Sequence, residues 1–218
     1  CADTSTFALA VTAPPVASIS GNLNICAGST TTLTASGGTS YNWISGTSGT
    51  SSSVVVNPSA NTNYSVVASN GACTDTASVS VTVSPSPTVS ISGNNSICSG
   101  QSVTLTAATA SSYAWQPGGQ TTSAITVTPS STTVYTVTGT SSGCSTTATF
   151  TLNVTATPTA SISGSSTVCS GQSTTLTASG GSSFNWIAGT GGNTASVSVS
   201  PTANTSYSVI VTNGSCSD

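Results

Sequence analysis

Seven cysteines and three aspartates carry most of the reactive chemistry open to this 218-residue sequence, which has no Lys, Arg or His and a formal net charge of −3. Charged residues make up 1% of the chain, where soluble domains usually spend about a quarter. Much is excluded by that alone. A nucleophilic Ser would find no His or Lys to activate it. Nothing basic is present to grip nucleic-acid phosphates or anionic lipid. The Asp residues are never paired locally, whereas glycoside hydrolysis needs two carboxylates and calcium gathers about 6–8 oxygens. The sequence therefore predicts no enzyme, no cofactor and no metal site. The cysteines form no C-x-x-C pair and have no His beside them, so they read as disulfides rather than as a zinc site. Disulfides imply an oxidising, extracellular setting. No apolar run approaches the ~18 residues of a membrane span, and the N-terminus shows no basic n-region.

The spacing of these residues is periodic. Cys26, Cys98 and Cys169 lie 72 and 71 residues apart; Cys1, Cys73, Cys144 and Cys216 lie 72, 71 and 72 apart. Asp3, Asp75 and Asp218 each stand two residues after a Cys of the second series. Trp43, Trp115 and Trp186 keep the same period, as do Tyr64, Tyr135 and Tyr207. A period this regular means an array of like units, and the place of Cys1 in it favours a structural role over a lipid-modified terminus.

Each unit reads as short strands. In the first, strands are expected at Ala17–Ser20 (A), Thr30–Ala35 (B), Tyr41–Trp43 (C), Ser53–Val56 (E), Asn63–Ala68 (F) and Thr76–Val83 (G), with a turn at Ile25–Ser29. Ala77, Val79, Val81 and Val83 alternate with Ser and Thr, the period-two pattern of a strand with one wet face. No helical period occurs. Short strands with turn residues between them and one Trp on strand C indicate an all-β chain of tandem immunoglobulin-like sandwiches, about 72 residues each, end to end. Trp43, Trp115 and Trp186 are then core residues rather than sugar platforms. Tyr64, Tyr135 and Tyr207 are expected in the core at the E–F corner, each hydroxyl tying the corner.

The frame of the repeat divides the chain at 14–85, 86–156 and 157–218, with 1–13 left over. Residues 1–13 match Cys73 to Pro85, so Phe7, Leu9 and Val11 take the register of Val79, Val81 and Val83. They form a lone strand G, and the third repeat lacks one. Two explanations stand: a window from a longer array, or strand addition in trans, in which 1–13 of one subunit completes the last sandwich of the next. Head-to-tail addition of that kind generates a filament.

Two cysteine pairings are open. Within a repeat, Cys26 would meet Cys73. However, the A–B and F–G turns of such a sandwich lie at opposite ends, roughly 20 Å apart for strands of this length, and bridged Cα atoms lie within about 7 Å. Pairing across repeats, Cys26–Cys144 and Cys98–Cys216, is therefore favoured. Cys169 would then reach a second-series Cys of a following unit.

The stretch Ile97-Cys98-Ser99-Gly100-Gln101-Ser102-Val103-Thr104-Leu105-Thr106-Ala107, then Tyr113-Ala114-Trp115, Val127-Thr128-Pro129, Tyr135-Thr136-Val137 and Gly143-Cys144 resembles the cysteine-containing Ig-like or PKD-like repeats of very large secreted surface proteins of Bacteroidota. The same set recurs in the other two repeats, so the resemblance covers essentially the whole chain. It implies a stalk, spacer or adhesin shaft, partnered by copies of itself or by adjoining repeats. Asp75-Thr76-Ala77 fits the O-glycosylation signal associated with that group, which makes Thr76 a candidate for a covalent glycan. The expected function is structural, in an extracellular filament or stalk; the rival is an adhesive module using its C–E loops, such as 44–53 and 187–194.

Overall fold

The computed structural model describes residues 1–218, and its regular structure is entirely β. The chain forms two compact units: Cys1–Pro87 with Thr140–Thr146, and Thr88–Gly139 with Thr147–Asp218. Seven strands make the first sandwich: β1 (Ser18–Ser20), β2 (Asn24–Cys26), β3 (Thr31–Ser36), β4 (Ser40–Ser45), β5 (Ser53–Val56), β6 (Thr62–Asn70) and β7 (Cys73–Ser84). Seven more make the second: β8 (Ser90–Ser92), β9 (Ser96–Cys98), β10 (Val103–Ala108), β11 (Ser112–Gln116), β12 (Ala124–Val127), β13 (Thr133–Ser141) and β14 (Cys144–Thr155). The third has β15 (Ser161–Ser163), β16 (Thr174–Ser179), β17 (Ser183–Ala188), β18 (Ser196–Val199), β19 (Ser208–Asn213) and β20 (Cys216–Ser217).

The first two sandwiches share one topology. A three-stranded sheet, β1-β3-β5, faces a four-stranded sheet, β2-β7-β6-β4; β8-β10-β12 and β9-β14-β13-β11 repeat it. Alternation decides which side is buried. Along β3 the pattern is buried–exposed throughout, with Thr31, Leu33 and Ala35 inward and Thr32, Thr34 and Ser36 outward. Leu33, Trp43, Val66 and Val81 close the first core; Leu105, Trp115, Val137 and Leu152 close the second.

One strand was not legible as such. The stretch at Ile25 reads as part of a turn, yet Asn24–Cys26 is a strand, paired in parallel with the end of β7: Asn24 opposite Thr82, Ile25 opposite Val83, Cys26 opposite Ser84. Three residues are too few to show a period. The long neighbour supplies the ladder, and burial of Ile25 anchors it.

Strand C also ends in a way that fixes the core. The register slips between Trp43 and Ser45, and the Trp43 backbone N–H donates to Gly49 O at 2.8 Å. Its indole N–H donates to Ser51 O at 3.0 Å, as Trp115 does to Thr122 O at 2.9 Å and Trp186 to Thr194 O at 3.0 Å. The ring can be buried because its one polar atom is satisfied. Gly46 follows at φ +76°, and a Cβ there would come within 2.7 Å of the Tyr64 ring and 2.5 Å of Asn63 O. Gly46→Ala should therefore cost about 2 kcal/mol, from the left-handed backbone together with the clash. A denaturant titration followed by Trp fluorescence checks it; an unchanged midpoint would contradict the packing described.

Candidate functional site

Four of the seven cysteines are joined in pairs. Cys26 is bonded to Cys144 with Cα atoms 5.6 Å apart, and Cys98 to Cys216 with Cα atoms 5.7 Å apart; both links span 118 residues of sequence. Cys1, Cys73 and Cys169 are free thiols. Each bridge is built on one backbone carbonyl. Cys26 lies opposite Ser84 in the parallel ladder, Ala27 N–H donates to Ser84 O at 2.9 Å, and Cys144 Sγ lies 3.8 Å from the same oxygen. The second bridge repeats this at Thr155. Cys98 lies opposite it, Ser99 N–H donates to its oxygen at 2.9 Å, and Cys216 Sγ lies 3.8 Å away.

A third copy of this arrangement is half present. Thr12 holds the repeat position of Ser84 and Thr155, and Cys73 Sγ lies 3.5 Å from Thr12 O. The segment leading to Thr12 has no strand partner, and its apolar side chains are in water: Phe7 is 90% exposed, Leu9 79% and Val11 89%.

The third sandwich differs from the first at the same strand. Its second sheet is β17-β19-β20, with only Cys216–Ser217 in the place of a twelve-residue strand. In the first sandwich Thr62, Asn63 and Tyr64 pair with Val81, Ser80 and Val79; the matching residues 205–207 pair with nothing, so β19 begins only at Ser208. Val168, in the position of Ile25, is 36% exposed, against 5% for Ile25 and 6% for Ile97. A groove of about 690 Å³ opens along this edge, lined by Ile162, Val168, Leu176, Val199, Pro201 and Tyr207. The residues in the same positions of the first sandwich, Ile19, Ile25, Leu33, Val56 and Tyr64, close around Val79, Val81 and Val83.

Two other sets of residues do work that the sequence left unassigned or assigned elsewhere. Asp75 Oδ2 accepts from Ala17 N–H at 2.8 Å and Asp218 Oδ2 from Ala160 N–H at 2.7 Å. Asp75 and Asp218 thus satisfy the amide just before the first strand of the first and third sandwiches, a role whose one trace in the sequence is their fixed offset from Cys. The hydroxyl ties belong to different tyrosines from those expected. Tyr41 donates to Gly38 O at 2.7 Å and Tyr113 accepts from Ala110 N–H at 3.0 Å. Tyr64 and Tyr135 bury their rings in the core as expected, and that burial raises their pKa above the ordinary value of 10.0; Tyr207, beside the groove, is half-buried. Thr76 is exposed on β7.

No family model and no curated protein matches the sequence. Among solved structures, a three-domain fragment of titin (I67–I69, E-to-A variant) is similar at 12% identity over 95% of this chain and 96% of its own, with a TM-score of 0.44. The three N-terminal domains of the outer capsid protein Hoc of bacteriophage RB49 are similar at 18% identity over 84% and 78%, with a TM-score of 0.35. Eight N-terminal Ig domains of the Down syndrome cell adhesion molecule match at 13% identity over 82% of this chain and 33% of theirs, at 0.29. The fold assignment rests on the sheet topology of each repeat.

A non-reducing chymotryptic map should contain Cys26 linked to Cys144 and Cys98 linked to Cys216. A peptide joining Cys26 to Cys73 would contradict the register.

Proposed function

We propose that this chain is a structural segment of an extracellular filament or stalk, in which a G-type strand closes the open sandwich of each neighbour. Tandem Ig-like repeats are structural or adhesion-type modules. The observation that favours the structural reading is the match between the groove of the third sandwich and the exposed segment carrying Phe7, Leu9 and Val11. The groove lacks the side chains that Val79, Val81 and Val83 provide in the first sandwich. The exposed segment carries apolar residues in that register and nothing else to bury them. An unpaired edge beside an apolar groove is an association site by default. Likeness to the cysteine-containing repeats of secreted Bacteroidota surface proteins supports the same reading, as do the two disulfides, which suit an oxidising compartment. The adhesive alternative has less to stand on: the C–E loops present Gly, Ser and Thr beside a single exposed Ile44 or Ile187.

The mechanism is mechanical. Load along the chain would be borne by strand ladders sheared in parallel, and the bridges would hold repeats together if a ladder opened. The test is assembly of the purified chain. Sedimentation at rising concentration should show head-to-tail oligomers, with fibres visible by electron microscopy. Leu9→Asp should leave a folded monomer, because residue 9 has no role in any of the three cores while an Asp cannot enter the groove. A parent chain that stays monomeric would overturn the proposal.

A further inference from the structure

Beside the two closed bridges stands a half-built third one, in which Cys73 Sγ lies 3.5 Å from Thr12 O with no second sulfur bonded to it. We infer that Cys169 of one copy and Cys73 of the next form an intersubunit disulfide, templated by the donated strand. The inference rests on the strand-donation reading above and adds to it the atom pair that is covalently joined.

The geometry comes from the register of the two complete sites. In both, the short strand carrying the first cysteine pairs in parallel with the end of the long strand: Ile25 and Cys26 opposite Val83 and Ser84, Ile97 and Cys98 opposite Val154 and Thr155. Carried to the third sandwich, a donated segment Thr4–Thr12 would place Val11 opposite Val168 and Thr12 opposite Cys169. At the closed sites the second cysteine sulfur sits 3.8 Å from the carbonyl of that last paired residue, Ser84 or Thr155. Cys73 Sγ is already 3.5 Å from Thr12 O within its own chain. Seating the strand therefore delivers Cys169 to a thiol that waits at the same carbonyl. Two independent observations meet here: the open groove on the acceptor, and a donor cysteine held where its two counterparts are bonded. Both thiols are free, and Cys169 is exposed beside Ser170 of the groove wall.

The chemistry needs an oxidant, and a small disulfide such as glutathione disulfide suffices. The Cys73 thiolate attacks one sulfur, releasing one small thiol and leaving a mixed disulfide. The Cys169 thiolate then attacks the Cys73 sulfur and releases the second small thiol. Two protein thiols are oxidised and one small disulfide is reduced, with both protons passing to the released thiolates. Donated-strand contacts alone are reversible; the bridge makes each junction permanent.

The test uses the whole chain in a Cys1→Ser background, to remove the other exposed thiol. With glutathione disulfide, non-reducing gels should show a ladder at multiples of 20.9 kDa that collapses on reduction, and the digest should contain a Cys73–Cys169 peptide. Adding Cys73→Ser or Cys169→Ser should abolish the ladder while leaving sedimentation of the assembly unchanged. Leu9→Asp should abolish both. Assembly with Cys73 and Cys169 still open to alkylation, or a ladder that survives Cys169→Ser, overturns the inference and leaves strand donation standing. Failure to assemble at all overturns both.

Discussion

The last strand of each repeat is the interaction on which the rest depends. In β7 one twelve-residue segment forms an antiparallel ladder with β6, from Thr62 opposite Val81 to Asn70 opposite Cys73, and a parallel one with β2. Its inward Val81 is fully buried, and its final carbonyl, at Ser84, is the point around which a disulfide is built. In the third sandwich, where Cys216–Ser217 stand in the place of the twelve-residue strand, three features differ together. The neighbouring strand shortens to Ser208–Asn213, the short parallel strand does not form at Val168, and the core opens as a groove. Hydrophobic burial drives the strand in, and register then decides which sulfurs meet.

Near-absence of charge takes its meaning from the same constraint. Strand faces that other proteins wet with Lys and Glu are covered here by hydroxyls, many of which satisfy one another across the ladder: Ser65 with Ser78 at 2.8 Å, Thr104 with Thr126 at 3.2 Å, Ser161 with Ser179 at 2.8 Å. Such pairs hold the faces without long flexible side chains, whose ordering would cost rotamer entropy. Edge charges that usually keep strands from associating are missing too. A chain composed this way tolerates strand joining, and it offers trypsin no site.

Much of this was legible from residues alone. Period-two alternation at Ala77 to Val83 marks its strand because one face is wet, and the spacing of Cys, Trp and Tyr sets the repeat before any strand is assigned. Other features depend on partners distant in sequence. Asn24–Cys26 is too short to carry a pattern and exists through its neighbour. Asp75 and Asp218 look like isolated carboxylates until the fold brings Ala17 and Ala160 to them, 58 residues away. Tyr64 reads as a corner tie from its place in the E–F segment, but its ring packs against Gly46, and the tyrosine hydroxyl that ties a turn is that of Tyr41, on Gly38 just before its own strand. The groove is the plainest case: no single residue announces it, because its walls, from Ile162 to Tyr207, come from strands far apart in sequence.

Hydrogen exchange on the third sandwich tests the central claim most directly. The Leu9→Asp chain, unable to donate its own strand, would be mixed with a peptide covering residues 3–13. If a G-type strand completes the sandwich, amides at 168–170 and 205–207 should slow strongly, because both backbone segments gain a ladder partner. Unchanged exchange at those residues with peptide in excess would contradict it.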